Sequence, residues 1–313
     1  MEPDAIQKDV DNSSAESQHM TSEQKFTLVL ICVCNLFLAT YFSMLGPFFP
    51  QEANKKGASE TMTGLIFGIY AIVVFLTSPF LGSTASCNII HANMLSLFKM
   101  PITFIVYYII FVGCLTLSFL DVAYSLHLEP FHLSPLLLGI VFLVAPAVYA
   151  LTAPFLGWIM DKKGWCKSAM ALGGMLILVS LSLIGPVPFL SLPMESLWLN
   201  VVGNVVLGLG ISHLLVPPLQ ELLVAAFESG YPDNLETYGI TSGLYTSAYS
   251  IGGFAGAIGG GSLLDKVGFP WTAFIMGLVG ASCTLLLALY HLTTKFCCKS
   301  KDEIPGEHIP LIP

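Results

Sequence analysis

Two carboxylates stand among residues that otherwise carry almost no charge. Asp121 follows the apolar run Met100–Leu120, and Glu221 lies in ISHLLVPPLQELLV (Ile211–Val224), directly after Pro217-Pro218. Hydrocarbon solvates an ionised carboxylate badly, so an acid in such a place is protonated, paired or facing water. Counted from the lysines, no basic residue lies inside either run, which leaves neither acid an ion-pair partner within the membrane. Each is then either neutral, or faces a wet cavity where it binds a proton or another cation. The plain alternative is a solvated acid beside a helix end. His213 stands eight residues before Glu221 and could relay protons, since its ordinary pKa is about 6.5; a hydrogen-bonded packing residue is the alternative.

These side chains need a scaffold that places them at membrane depth, and the composition supplies one. The chain has 313 residues, 55% hydrophobic and 10% charged. Soluble domains carry roughly 25% charged residues, so this is a membrane protein. Eight uncharged runs each exceed the roughly 20 residues a spanning helix needs. They are Phe26–Gln51, Thr61–Phe98, Met100–Leu120, Pro130–Met160, Ser168–Met194, Ser196–Gln220, Thr237–Leu264 and Val267–Thr294. The second holds one span, about Met62–Leu81, and then turns polar as STASCNIIHAN. The expectation is an all-α membrane protein with eight transmembrane helices.

Lysine placement orients them. With the N-terminus inside, nine lysines fall on the cytosolic side and three (Lys55, Lys56 and Lys266) opposite, which predicts that both termini are cytosolic. The net charge of −8 comes mostly from the two tails and carries no basic patch for nucleic acid. All twelve basic residues are Lys, and without the bidentate guanidinium fork a phosphate or dicarboxylate ligand is disfavoured. The eight cysteines show neither a disulfide framework nor metal-ligand spacing. No HExxH, GxSxG, P-loop or paired membrane aspartates occur, so no catalytic residue, cofactor or metal is expected.

Two loops share a pattern. Gly157-x-x-x-Asp161-Lys162-x-Gly164 closes the fourth span, and Gly261-x-x-x-Asp265-Lys266-x-Gly268 follows the seventh. Such recurrence suggests internal repeats, which transporters often contain. Within the seventh span Gly252, Gly256 and Gly260 recur every four residues, lining one helix face that admits a neighbour closely; a hinge is the sharper alternative.

The segments LGPFFPQEANKKGAS (Leu45–Ser59), GLIFGIYA, DKKGWCK, VPPLQELL and TSGLYTSAYSIGGFAGAIGGGSLLDKVGFPW together resemble the vesicular amine transporters of the major facilitator superfamily, and within them the polyamine branch. The resemblance covers about residues 26–82 and 97–293. It implies two six-helix halves, with the substrate bound between them and exchanged for protons by alternating access. Asp121 and Glu221 match by context the acids of the family's seventh and tenth spans, which implies that they bind a polyamine or couple its movement to protons. The chain departs from that pattern. Its second span is followed directly by what resembles the family's seventh, so about four spans of the N-terminal half are missing, and STASCNIIHAN replaces a loop motif. NLFLATYFSML in the first span lacks the amine-binding Asp of other members.

The resulting division is residues 1–25 a cytosolic disordered tail, 26–82 two helices of the N-terminal half, 83–100 a cytosolic junction, 101–293 a six-helix C-terminal bundle and 294–313 a cytosolic tail. In that tail Glu307, Leu311 and Ile312 resemble an acidic dileucine signal read by clathrin adaptors, and Cys297-Cys298 is a palmitoylation candidate. The resemblance thus implies a multi-pass protein of cytoplasmic or secretory vesicle membranes. Its partners would be an organic cation, protons and the lipid bilayer. The reading from a different class is a truncated, non-transporting membrane protein that acts by association.

Overall fold

The computed structural model describes residues 22–83, 97, 100–186 and 196–302. The sorting residues Glu307, Leu311 and Ile312, the tail 1–21 and nearly all of the 83–100 junction lie outside them, as do the side chains of Cys297 and Cys298. Among the described residues nine α-helices and no strand occur. They are α1 (Ser22–Lys55), α2 (Glu60–Ser83), α3 (Pro101–His127), α4 (Pro135–Lys163), α5 (Cys166–Ile184), α6 (Leu197–Leu215), α7 (Pro217–Glu228), α8 (Leu235–Val267) and α9 (Phe269–Asp302). The chain divides into Met1–Leu45, which contributes the start of α1, and Gly46–Pro313, to which everything below belongs.

Among the described residues six segments are long and apolar enough to cross a membrane: Glu60–Ser78, Pro101–Phe131, Pro135–Lys163, Cys166–Ile184, Leu197–Glu228 and Phe269–Thr294. The sequence leads to eight. Of the other two, α1 has many side chains outside the described residues, and α8 is diluted by Gly, Ser and Thr along its 33 residues. Six segments thus qualify by apolarity among the described residues, beside two further long helices, α1 and α8.

What α8 lacks in apolarity it returns in close packing. A methyl group added at Gly252, Gly256 or Gly260 would run into the Phe111 carbonyl, the Leu115 carbonyl or the Phe119 side chain of α3 respectively. The two series rise together, so α3 and α8 run parallel. On its other flank α8 meets α2 in opposite order, Gly64 against the Ala257 carbonyl and Gly261 against that of Glu60. Lipid tails are as apolar as leucine, so helices inside a membrane gain from such backbone approach rather than from water exclusion. On the far side α5 is tied to α9 by Thr284 Oγ1, which donates to the Ala171 carbonyl at 2.6 Å, and to α6 by Ser180 Oγ, which donates to the Gly203 carbonyl at 2.9 Å.

The two recurring loop patterns end helices alike and act differently. Gly164 and Gly268 both have positive φ, 62° and 76°, the backbone that lets a helix stop where a side chain would strain it. Asp161 accepts from Gln220 Nε2 of α7 at 3.3 Å. Asp265 caps another helix: its carboxylate accepts from Glu60 N at 3.2 Å, Thr61 N at 3.1 Å and Thr61 Oγ1 at 2.6 Å. Because Ser59 Oγ already accepts from Met62 N at 3.2 Å, α2 has a cap of its own, and Asp265 serves to tie α8 to α2.

Candidate functional site

A cavity of about 260 Å³ opens among four helices of the second unit. Its wall is formed by Leu117 of α3, Pro146 and Tyr149 of α4, Ile211 and Leu215 of α6, and Tyr245 and Tyr249 of α8, among others, with no lysine in the lining. Tyr245 and Tyr249 recur four residues apart, hence on one face of α8, with rings 16° from parallel and centroids 6.5 Å apart. Tyr245 Oη donates to the Leu215 carbonyl at 3.0 Å. Tyrosine faces carry negative charge density, so three of them around a cavity attract a cation without placing an anion there. Sequence reasoning passed over these tyrosines. The signal available was the four-residue repeat in TSGLYTSAYS, within a span already singled out for its glycines.

Asp121 lies one helical turn beyond Leu117 on the same face of α3. It is exposed, and among the described residues no hydrogen bond or ion pair to its carboxylate is seen. Gly46 lies beside it, such that a methyl group there would be 3.4 Å from Asp121 Oδ1. Asp121 thus stands one turn from the cavity wall, with no partner for its carboxylate among the described residues.

Glu221 has a different setting, and here the structure corrects the sequence reading, which left it without a lysine. Lys167 Nζ lies 3.1 Å from Glu221 Oε1. The physical reason lies in how spans are drawn from sequence. Bounding them by charge puts every lysine outside by construction, while Lys167 occupies the first turn of α5 and its long stem reaches back. The Pro217-Pro218 break supplies the other half, since neither ring nitrogen can donate and a new helix, α7, starts there and carries Glu221 to the start of α5. Around the pair, Cys166 Sγ donates to Gln220 Oε1 at 3.5 Å, and Lys167 stands 5.7 Å from the Tyr290 ring centroid. Glu221, Asp161 and Lys167 therefore form one cluster at the lysine-rich end of the bundle, and none of them lines the cavity.

His213 points elsewhere. Its Nδ1 donates to the Leu209 carbonyl at 2.7 Å, and its Cβ packs against Gly173 of α5. Since Ile211 and Leu215 face the cavity, His213 between them faces away. Outside the spans, a hydrogen bond from Lys55 Nζ at 2.9 Å, with its charge, holds the Glu52 carboxyl below the usual carboxylate range. Both groups are exposed, so the pair contributes little.

The Glu221 pair yields a testable consequence. Glu221→Gln is expected to cost about 1–2 kcal/mol, less than the ~3–5 kcal/mol of a fully buried pair, because Lys167 stays half in solvent. A double-mutant cycle with Lys167→Met, read by thermal unfolding in detergent, should give a coupling of that order. A coupling of zero would mean the pair is idle.

Residues 96–313 match the Major Facilitator Superfamily, and the chain belongs to that family. It is a multi-pass membrane protein of a transporter family. More particularly, it is similar to the MFS-type transporter SLC18B1 of Mus musculus, 27% identical over 405 residues that cover 88% of this chain and 88% of that protein. The proteins of the same name from Homo sapiens and Rattus norvegicus are 27% and 26% identical. Those alignments run longer than the whole 313-residue chain, so an interior part of the relatives' length has no counterpart here.

Proposed function

We propose that this protein is a proton-coupled antiporter of organic cations, polyamines such as spermine and spermidine foremost, loading vesicles by alternating access. The observation that carries the reading is the tyrosine-lined cavity with unpaired Asp121 one turn from its wall. The rings attract a cation, and the carboxylate alternates between holding a proton and meeting a positive charge. In this reading Glu221 anchors α7 to the cytosolic end through Lys167, and His213 braces α6 from behind. The loop residues Gly157, Asp161, Lys162, Gly164, Asp265 and Gly268 set how far the two ends of the bundle can open. Both termini are cytosolic, and Glu307, Leu311 and Ile312 offer a clathrin adaptor site. The spans within 26–82 stand for the N-terminal half, and the relatives' extra length falls at the 83–100 junction.

The test is uptake of labelled spermidine into proteoliposomes holding the purified chain with an acidic interior. Accumulation that collapses when the pH gradient is dissipated supports the reading. A second reading is favoured by the relatives' unmatched length and by the absence of an acid from NLFLATYFSML: the chain is a non-transporting form that associates with another membrane protein. Absence of uptake beside active uptake by a full-length relative in the same membranes would favour it.

A further inference from the structure

The break between α6 and α7 brings backbone acceptors close to the cavity. Pro217 and Pro218 have no N–H, so the carbonyls of His213 and Leu214 lack the donor four residues on that a continuous helix supplies. The next carbonyl, that of Leu215, receives its hydrogen bond from α8, through Tyr245 Oη at 3.0 Å. Tyr245 and Leu215 both line the cavity.

A phenolic hydroxyl has one proton and two lone pairs. In Tyr245 the proton is committed to Leu215. Among the described residues no donor to the Tyr245 oxygen is seen, so its lone pairs are open. Donation to the carbonyl also enriches that oxygen as an acceptor, because linked hydrogen bonds polarise one another. The cavity therefore meets a cation in two chemically different ways. The ring faces attract any positive charge, quaternary ammonium included. The Tyr245 oxygen accepts only from a cation that carries N–H.

We propose that Tyr245 is the specificity-determining residue of this cavity, its hydroxyl selecting primary and secondary ammonium ions over quaternary ones. The inference rests on the organic-cation reading above and adds which cations are preferred and why. The backbone break gives the preference its physical basis. The hydroxyl is held by a carbonyl beside the break, on a helix other than its own, and cannot turn to donate into the cavity without giving up that bond.

The experiment is calorimetric binding of spermidine, which bears N–H groups, and of tetraethylammonium, which has none, to the full chain in lipid nanodiscs. The wild-type chain is expected to bind both. Tyr245→Phe keeps the ring and removes the oxygen, and is expected to weaken spermidine about ten-fold, the scale of one hydrogen bond to a charged group, while leaving tetraethylammonium unchanged. Tyr245→Leu removes ring and oxygen together and is expected to weaken both. If Tyr245→Phe weakens both cations equally, or neither, the selectivity assignment is overturned while the cavity reading stands. If the wild-type chain binds neither cation, the cavity reading falls, and this inference with it.

Discussion

Gly256→Ala is expected to destabilise the protein by more than about 3 kcal/mol, against the usual sense of that substitution in a helix. Alanine ordinarily gains about 0.5–1 kcal/mol over glycine inside a helix, by restricting the unfolded chain. At Gly256 the added methyl would clash with the Leu115 carbonyl oxygen and the backbone carbon behind it. Neither atom belongs to a flexible side chain, so the strain relaxes only if α3 and α8 separate. Separation would in turn disturb the matching contacts at Gly252 and Gly260, which lie on the same stripe. Gly259, three positions along the same helix, has open space where its methyl would go. Gly259→Ala is expected to be neutral or to stabilise by up to ~1 kcal/mol. Thermal unfolding of the two purified variants, run side by side, reads the difference. Equal midpoints would show that α3 and α8 do not approach as closely as described.

The second large effect is functional. Asp121→Asn keeps the shape of the side chain and removes its charge and its exchangeable proton. Acid-driven spermidine accumulation is expected to fall at least ~10-fold, while exchange of labelled for unlabelled spermidine without a pH gradient continues. The split matters, because a merely structural residue would lose both together. Stability should hold or rise, since an unpaired carboxylate at membrane depth is a cost to the fold that asparagine lowers. Asp121 is exposed and makes no ion pair among the described residues, so its removal leaves no partner stranded. Undiminished acid-driven accumulation in this variant would remove Asp121 from the coupling mechanism.

The contrast between Asp121 and Glu221 measures how far sequence reading reaches. In the sequence both are acids at the margin of an apolar run, and nothing separates them. The fold leaves Asp121 exposed, one turn beyond the cavity-lining Leu117, and gives Glu221 a lysine at 3.1 Å. Lys167 is 54 residues upstream of Glu221, across the rest of α5, all of α6 and the start of α7, and no local pattern connects them. Asp265 tells the same story over a longer distance. As DKVG it reads as a helix end, and the glycine does end α8. Its carboxylate, however, goes to the first turn of a helix 204 positions earlier.

Taken alone, the amino-acid sequence determines that this is a helical membrane protein, because hydropathy acts on each segment independently and needs no partner. It determines too that α8 has a face able to admit another backbone, because four-residue spacing sets which side chains share a helix face. Only the tertiary structure decides which helices use that face, and that they are α3. It alone gathers Tyr149, Tyr245 and Tyr249 around one cavity, and it gives Glu221 its lysine while leaving Asp121 without one among the described residues. The reason is physical: burial in lipid is a property of a single helix, whereas a cavity and an ion pair are made by helices distant along the chain. What each polar group then finds opposite it depends on packing that only the assembled bundle defines.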